Sequence, residues 1–389
     1  MISFNNTEIA FKHKSDRDLN RAHFLFSVIG SPAMVKVGKG VTNFSLRVGL
    51  PIKGLIKSTI FKQFCGGETI DECTGAIDQL WKSRVSTILD YSVEGKTSDE
   101  DFEATTNEII ATIAKGKNNP AIPFAVFKVT GISRFALLEL ANAGTEQLDA
   151  AMQRDYDAVV ERIHRICKAG YDANVPVFID AEETWIQDTI DRITHDMMLE
   201  FNKDRAIVYN TVQIYRHDRL QFLKDSIAWA KENNVKYGVK LVRGAYMEKE
   251  RARAAEKGYP SPIQPDKERC DHDYNAALEF LTDEMDHMAL VAGSHNEYSS
   301  AYLVELMTQK GISKADTRVF FAQLLGMSDH ISYNLAHLGY NVAKYVPYGP
   351  VKEVMPYLLR RADENTSVKG QTGRELSLIK QERERRKKQ

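Results

Sequence analysis

Arg360 and Arg361 are adjacent cations in a segment with helical phase. Tyr357, Arg360, Arg361 and Glu364 fall at i, i+3, i+4 and i+7 and share one face, while Val354, Met355, Leu358, Leu359 and Ala362 form an apolar stripe opposite. Two neighbouring guanidiniums, with Glu364 one turn on to orient one of them, suit bidentate capture of a carboxylate or phosphate. The plainer alternative is a surface Arg–Glu pair, which would contribute little. The rest of the chain argues against that alternative.

Short runs rich in β-branched and aromatic residues recur at Val85–Tyr91, Phe124–Thr130, Val175–Asp180, Ile207–Gln213, Tyr237–Arg243, Met288–His295, Thr317–Gln323 and Asn341–Val346. Each alternates with a longer helical pattern, which predicts an α/β fold of the (β/α)8, TIM-type class. In that class active sites form where strands end at their C-terminal side. Here those ends are polar: Lys128; Asp180-Ala181-Glu182-Glu183; Gln213; Lys240 and Arg243 before Gly244; Ser294-His295-Asn296; Gln323; Lys344 and Tyr345. One such residue is more often a satisfied structural group. Seven of eight strands ending this way point to a shared polar cavity, because buried polar groups need partners.

Residues 1–80 read as an N-terminal helical arm, 81–371 as the catalytic barrel and 372–389 as a charged helical tail. The stretch Phe24–Leu55 is apolar but broken by glycines and prolines, as in a cap packed on the core, with a partner or lipid surface as the lesser reading. Leu148–Ala169 is expected to be a helix stopping before Gly170, and Leu220–Glu232 one stopping before Asn233. Charged Glu248–Lys257 and proline-rich Tyr259–Pro265 read as a loop over the barrel mouth. The tail, ending RERRKKQ, reads as a solvated face, with anionic lipid as the minority reading.

The composition, 43% hydrophobic and 27% charged over 389 residues, is that of a globular protein. A formal net charge of −1 gives no pull toward nucleic acid. Four cysteines without CxxC spacing argue against a disulfide framework or structural zinc. No metal is expected: the ten histidines lack ligand spacing, and Asp271-His272-Asp273 reads as solvated helix surface. There is no GxGxxG, P-loop, GxSxG or HExxH. No apolar run reaches membrane-spanning length. Met1–Asn20, with Glu8, Asp16 and Asp18, lacks a signal-peptide core and resembles no acid-poor transit peptide.

Within this frame, Asp180–Trp185 (DAEETW), Lys240–Tyr246 (KLVRGAY), Ser294–Glu297 (SHNE), Gln323–Met327 (QLLGM), Lys344–Pro350 (KYVPYGP) and Tyr357–Asn365 (YLLRRADEN) resemble the proline dehydrogenase family, in order, with Gly66–Glu72 (GGETIDE) ahead of them. The form resembles the stand-alone enzyme, since no aldehyde dehydrogenase domain follows. The resemblance implies FAD-dependent oxidation of L-proline to Δ1-pyrroline-5-carboxylate on a distorted (β/α)8 barrel. Electrons would pass to a membrane quinone. It implies that Arg360, Arg361 and Lys128 bind the substrate carboxylate and that Tyr345, Leu324 and Tyr357 pack around the ring. Asp180 and Lys240 would be the catalytic pair, Lys240 standing where many bacterial members carry arginine beside the flavin N5. Ala181, Gln213, Arg243, Gly244, Ala245, Ser294, His295 and Glu364 would form the FAD-binding set.

Tyr345 stands where relatives that prefer hydroxyproline carry a smaller residue, which favours proline over 4-hydroxyproline. The rival enzyme reading is a Schiff-base aldolase on Lys128, Lys240 or Lys344. A non-enzymatic barrel is the other rival, against which the intact Asp180, Lys128, Arg360 and Arg361 speak. The expected setting is the bacterial cytoplasm with peripheral contact to the inner membrane, or the mitochondrion in a eukaryote. The oligomeric state is left open.

Overall fold

The computed structural model describes residues 2–31, 36, 53–93, 95–367 and 371–389, save the side chains of 53, 55 and 362–372. Eight parallel strands close into a barrel in sequence order. They are β1 Val85–Tyr91, β2 Phe124–Lys128, β3 Val177–Asp180, β4 Val208–Gln213, β5 Tyr237–Val242, β6 Met288–Gly293, β7 Val319–Leu324 and β8 Val342–Tyr348. The packing gathers the chain into two compact units, residues 95–322 and residues 2–94 with 323–389.

Strand phase accounts for the interior of the first unit. Val177 faces a helix, since a Cβ on Gly170 of the helix Ala150–Ala173 would lie 2.5 Å from its Cγ2. Side chains alternate along a strand, so Phe178 faces the barrel interior. There the ring of Phe124 meets those of Phe178 at 4.6 Å, Phe320 at 4.8 Å and Tyr209 at 5.9 Å. Two residues further along the same faces come Asp180 after Phe178 and Thr211 after Tyr209. The register sets Lys128 beside Asp180 and Thr211 beside Lys240. An aromatic floor therefore carries a charged layer. Gly238 makes room for that floor: a Cβ there would sit 2.5 Å from the Val208 carbonyl and 2.6 Å from the Tyr209 ring.

Several expected boundaries move for local reasons. β3 begins at Val177, because Pro176 has no N–H for the ladder. β5 stops at Val242, two residues before Gly244 at φ +134°. β8 runs on to Tyr348, where Gly67 bridges to it. The helix expected to stop before Gly170 continues to Ala173 and ends at left-handed Asn174. Gly170 is in that helix for its close approach to β3, not as a stop. Its start is set by Asp149, which accepts from the Ala151 and Met152 N–H groups.

Two further expectations are corrected. Glu248–Lys257 is not a loop: Met247–Lys257 is a helix, ended by Gly258 in the left-handed region. Its Glu250 is fully buried and takes the Thr184 N–H at 2.7 Å and the Thr184 hydroxyl, at the start of the helix Thr184–Phe201. Its Lys249 pairs with Glu183, and its Arg253 lies over the Trp185 ring. The charges that suggested a solvated loop are the helix's fastenings. Nor is the tail a solvated face. The helix Gln371–Lys387 buries Glu375, Leu378, Ile379 and Glu382. Arg385 and Arg386 hold Glu382, and Arg386 also donates to Asp16 and to the Phe11 and Lys14 carbonyls.

Of Phe24–Leu55, residues 24–29 belong to the helix Asp16–Ile29, with Phe26 and Ile29 buried and Phe24 exposed; residues 32–52, Lys36 aside, lie outside the described residues. No helix of the described residues is long and apolar enough to cross a membrane. Among them, no group of three or more His, Cys, Asp and Glu side chains could hold a metal ion.

Gly238→Val tests the reason for glycine in β5. The added side chain meets backbone as well as the Tyr209 ring, so stability should fall by about 3 kcal/mol, read by denaturant or thermal unfolding. An unfolding midpoint equal to that of the unsubstituted protein would refute the packing argument.

Candidate active site

In the unit of residues 95–322 the charged layer centres on Asp180. Its Oδ2 lies 3.4 Å from Lys128 Nζ, and its Oδ1 accepts from Lys240 Nζ. Asp180 and Lys240 are buried, and the Lys240 ammonium lies 5.6 Å from the centre of the Phe178 ring. Burial by itself would push the Asp180 carboxyl up, but Lys240 and Lys128 outweigh it and hold the group below its ordinary value. Two ammoniums thus share one carboxylate. Thr211 Oγ1, buried in the same layer, has no hydrogen-bond partner among the described residues.

The turn after Asp180 is gripped from three sides through Glu182. The Glu182 N–H donates to Gln187 Oε1 at 2.8 Å, and its carbonyl accepts from Gln213 Nε2 at 2.7 Å. Its carboxyl accepts from the Thr130 N–H at 3.0 Å and from the Thr130 hydroxyl. With Nε2 committed, the Gln213 amide has a fixed sense. The grip extends outward. Gln187 Nε2 donates to Asp191, which also accepts from Asn210 and from Arg219. Burial pushes the Glu182 carboxyl up to about 7, with Glu183 adding to the rise and the Thr130 donors opposing it.

Glu182 was legible only as part of a polar strand end. The signal that could have singled it out is its phase, one residue past Ala181 in a turn where three carboxylates crowd. Thr130, Gln187 and Asp191 carried no signal, because nothing local says what they will face.

Arg243 is also fully engaged. Its Nε donates to Asp271 at 2.7 Å, its Nη1 to Ser294 Oγ and its Nη2 to Ser299 Oγ, both at 2.9 Å, and the guanidinium lies 4.2 Å from the centre of the Tyr274 ring. Arg243 and Ser294, both drawn from strand ends, are thus brought together. Asp271-His272-Asp273 is not simply solvated surface: Asp271 serves Arg243, and buried Asp273 accepts from Gln264 at 2.6 Å. Gly244 and Ala245 are exposed, Ala181 is buried and His295 half-buried. A Cβ on Gly244 would fall 2.4 Å from the Tyr215 ring, so the backbone passes that ring at glycine distance.

In the second unit, Lys344 and Tyr345 are neighbours in β8 and so face opposite ways. Val346, in phase with Lys344, lies where a Cβ on Gly66 would sit, on the outer side. Lys344 is fully buried there; its Nζ lies 3.0 Å from Asp329 Oδ1 and donates to the Leu324 and Met327 carbonyls. This corrects the reading of Lys344 as a strand-end residue of the cavity, and removes it as a Schiff-base candidate. Tyr345 takes the other face, and its carbonyl accepts the Leu325 N–H at 2.8 Å. In the helix Met355–Ser367, Tyr357 is buried in the apolar cluster that includes Met327, Val354 and Leu358. Arg360 and Arg361 are half-buried, with the Arg361 guanidinium 5.4 Å from the centre of the Tyr357 ring. The side chains of Glu364 and Ala362 lie outside the described residues.

The model of the proline dehydrogenase family matches residues 73–374. The chain belongs to the proline dehydrogenase family. It is accordingly an oxidoreductase. It is 33% identical over 335 residues to the carbapenem antibiotics biosynthesis protein CarD of Pectobacterium carotovorum subsp. carotovorum, covering 86% of each chain. It is 32% identical to the mitochondrial proline dehydrogenase 1 of Arabidopsis thaliana, covering 86% of this chain and 76% of that one. It is 30% identical to the hydroxyproline dehydrogenase of Xenopus laevis, covering 99% and 90%. The fold is similar to that of proline utilization A from Bdellovibrio bacteriovorus, with a TM-score of 0.74 at 21% identity, over 93% of this chain and 38% of that one. The chain thus spans little more than a third of that structure.

The Glu182 carboxyl gives a pH signature. Its folded value, about 7, lies above the ordinary 4.5. Below both values the group is neutral in the folded and the unfolded chain; as pH rises between them the unfolded chain loses its proton first, and folding becomes less favourable. Glu182→Gln is neutral throughout. Its stability relative to the unsubstituted protein should improve by about 3 kcal/mol between buffer below the ordinary 4.5 and mildly alkaline buffer, measured by urea unfolding. A difference independent of pH would contradict the raised value.

Proposed function

We propose that this protein oxidises L-proline to Δ1-pyrroline-5-carboxylate with FAD as its cofactor, and that it delivers the electrons to a membrane quinone at a membrane surface. The observation that carries this reading is the Lys128–Asp180–Lys240 layer, with Asp180 and Lys240 buried, at the strand ends of a proline dehydrogenase barrel. The residues present fit a flavin. Thr211 Oγ1 is a buried polar atom without a partner among the described residues, in register with Lys240. Gly244 lets the backbone pass close beside Tyr215. Gln213 presents an amide of fixed sense. Ala181, Gln213, Arg243, Gly244, Ala245, Ser294, His295 and Glu364 are the residues that would hold the cofactor. When bound, FAD supplies a two-electron acceptor for the hydride that leaves proline C5.

The chain's own residues supply charge and position. Arg360 and Arg361 take the substrate carboxylate, and planar guanidiniums make that grip directional. Lys128 adds a third cation to the carboxylate's field. Cations around the substrate also disfavour an extra proton on its amine, and the amine must be neutral to release electron density toward C5. Leu324, Tyr345 and Tyr357 pack the ring and orient C5, an effect of position rather than of acid or base. Lys240, paired with Asp180, stabilises the negative charge that develops on its side of the layer during oxidation.

The similarity to a hydroxyproline dehydrogenase over 99% of this chain supports a second reading, a preference for 4-hydroxyproline. Tyr345, nine-tenths buried in β8, opposes it, since a bulky ring is set where the hydroxyl would project. The kcat/KM for proline should exceed that for 4-hydroxyproline by at least about tenfold, a pocket-sized steric difference; the reverse order would favour the second reading. The Schiff-base reading fares worse, because Lys128 and Lys240 are both committed to Asp180.

Proline-dependent bleaching of the flavin absorbance, with reduction of an artificial acceptor in the same cuvette, tests the assignment directly. Arg360→Met should raise KM for proline by about a hundredfold, the loss of one charge-assisted pair, while the flavin stays bound. Near-normal proline affinity in that variant would overturn the role given to the arginines.

A further inference from the structure

We propose that Asp329 is a positioning residue for substrate recognition, acting through Lys344 on the turn that carries Leu324. The inference rests on the reading of Leu324 and Tyr345 as residues that pack the substrate ring. Asp329 opens the helix Asp329–His337 and is buried. Its Oδ1 lies 3.0 Å from Lys344 Nζ, and its Oδ2 lies 3.1 Å from Lys14 Nζ and 3.6 Å from His13 Nε2. An ammonium has three donors. Those of Lys344 are accounted for by Asp329 and the carbonyls of Leu324 and Met327. Lys344 therefore spans the Leu324–Met327 turn from one end to the other.

The turn needs holding. Gly326 lies at φ +76°, and Ser328 at φ +51°, where a residue with a side chain is strained. Other contacts help: Gln63 Nε2 donates to the Gly326 carbonyl at 2.9 Å, and Glu375 accepts the Ser328 N–H at 3.1 Å. The Leu325 N–H reaches the Tyr345 carbonyl, so the same turn links the two ring-packing residues. Without the Asp329 charge, the fully buried Lys344 ammonium loses its hydrogen-bonded counter-ion and keeps only the attraction of Glu375, which drives it to lose its proton or leave. In either case its donors no longer hold the two carbonyls, and Leu324 loses its fixed place. His13 and Lys14 share Asp329, so the N-terminal arm takes part in shaping the substrate site.

The test compares Asp329→Asn, Leu324→Ala and the double variant in the full-length, flavin-loaded protein. Asp329→Asn should raise KM for proline about tenfold with kcat changed less than about twofold, the pattern of lost binding rather than lost chemistry. In the Leu324→Ala background the same substitution should raise KM by less than about twofold, because the two act through one contact. A lowered melting temperature with KM unchanged in the folded fraction, or an equal KM rise in both backgrounds, overturns the proposal. Lys14→Met keeps the Asp329–Lys344 pair and serves if Asp329→Asn does not fold; it should raise KM about two- to threefold, and no rise counts against the proposal. Amide hydrogen exchange at Leu325 and Met327 needs no activity: faster exchange in either charge variant supports the inference, and unchanged protection overturns it. Failure of the unsubstituted protein to oxidise proline would sink the functional reading alone, and the exchange would still decide the role of Asp329.

Discussion

Two lysines share one buried carboxylate at Asp180, and the geometry around it follows from the need to keep all three groups charged. A unit charge pair at contact distance is worth about 4 kcal/mol at an effective dielectric near 20, against a desolvation cost of similar size for each ion. The arrangement survives because burial and Coulomb attraction act on the same carboxyl and the lysines prevail. The aromatic floor of Phe124, Phe178 and Tyr209 keeps water from beneath the layer, and the Phe178 ring offers its face to Lys240. Removing the carboxylate would leave buried Lys240 and half-buried Lys128 without the charge they share.

The turn that follows Asp180 converts this charge arrangement into a rigid surface. Glu182 is held at its N–H, its carbonyl and its carboxyl by side chains from three different elements. The helix Met247–Lys257 is then fastened to the next residues of that turn by Lys249 and Glu250. The connection after β5, which carries Arg243, Gly244 and Ala245, is in this way tied to the connection after β3. Gln213 of β4 and the helix after β5 thus meet in one hydrogen-bonded framework on the turn that follows Asp180.

The second unit solves a different problem: a strained turn must be kept in place while contributing apolar side chains. Its solution draws both ends of the chain together. His13 and Lys14 from the start and Glu375 from the tail converge on Ser328 and Asp329. Glu382, buried and clasped by Arg385 and Arg386, anchors the tail against the first helices. A segment that looks like a solvated basic run is therefore integral to this unit.

The sequence by itself determined the barrel. Strand runs were legible because period-two patterning and glycine or proline punctuation are local, and β1 and the start of β2 fall where they were expected. Family membership was legible for a related reason: short motifs such as DAEETW and YLLRRADEN keep their order along the chain. Phase also placed Tyr357, Arg360 and Arg361 within about one turn of a single helix. Only the tertiary structure decided which polar residues meet. It turned Lys344 outward to Asp329 while its neighbour Tyr345 faces the other side, made Gly170 a contact rather than a stop, and gave buried Glu250 of the charged run after β5 its partner at Thr184. Backbone preference is set within a few residues, whereas the partner of a buried charge is set by elements tens or hundreds of positions away. No local pattern records that distance.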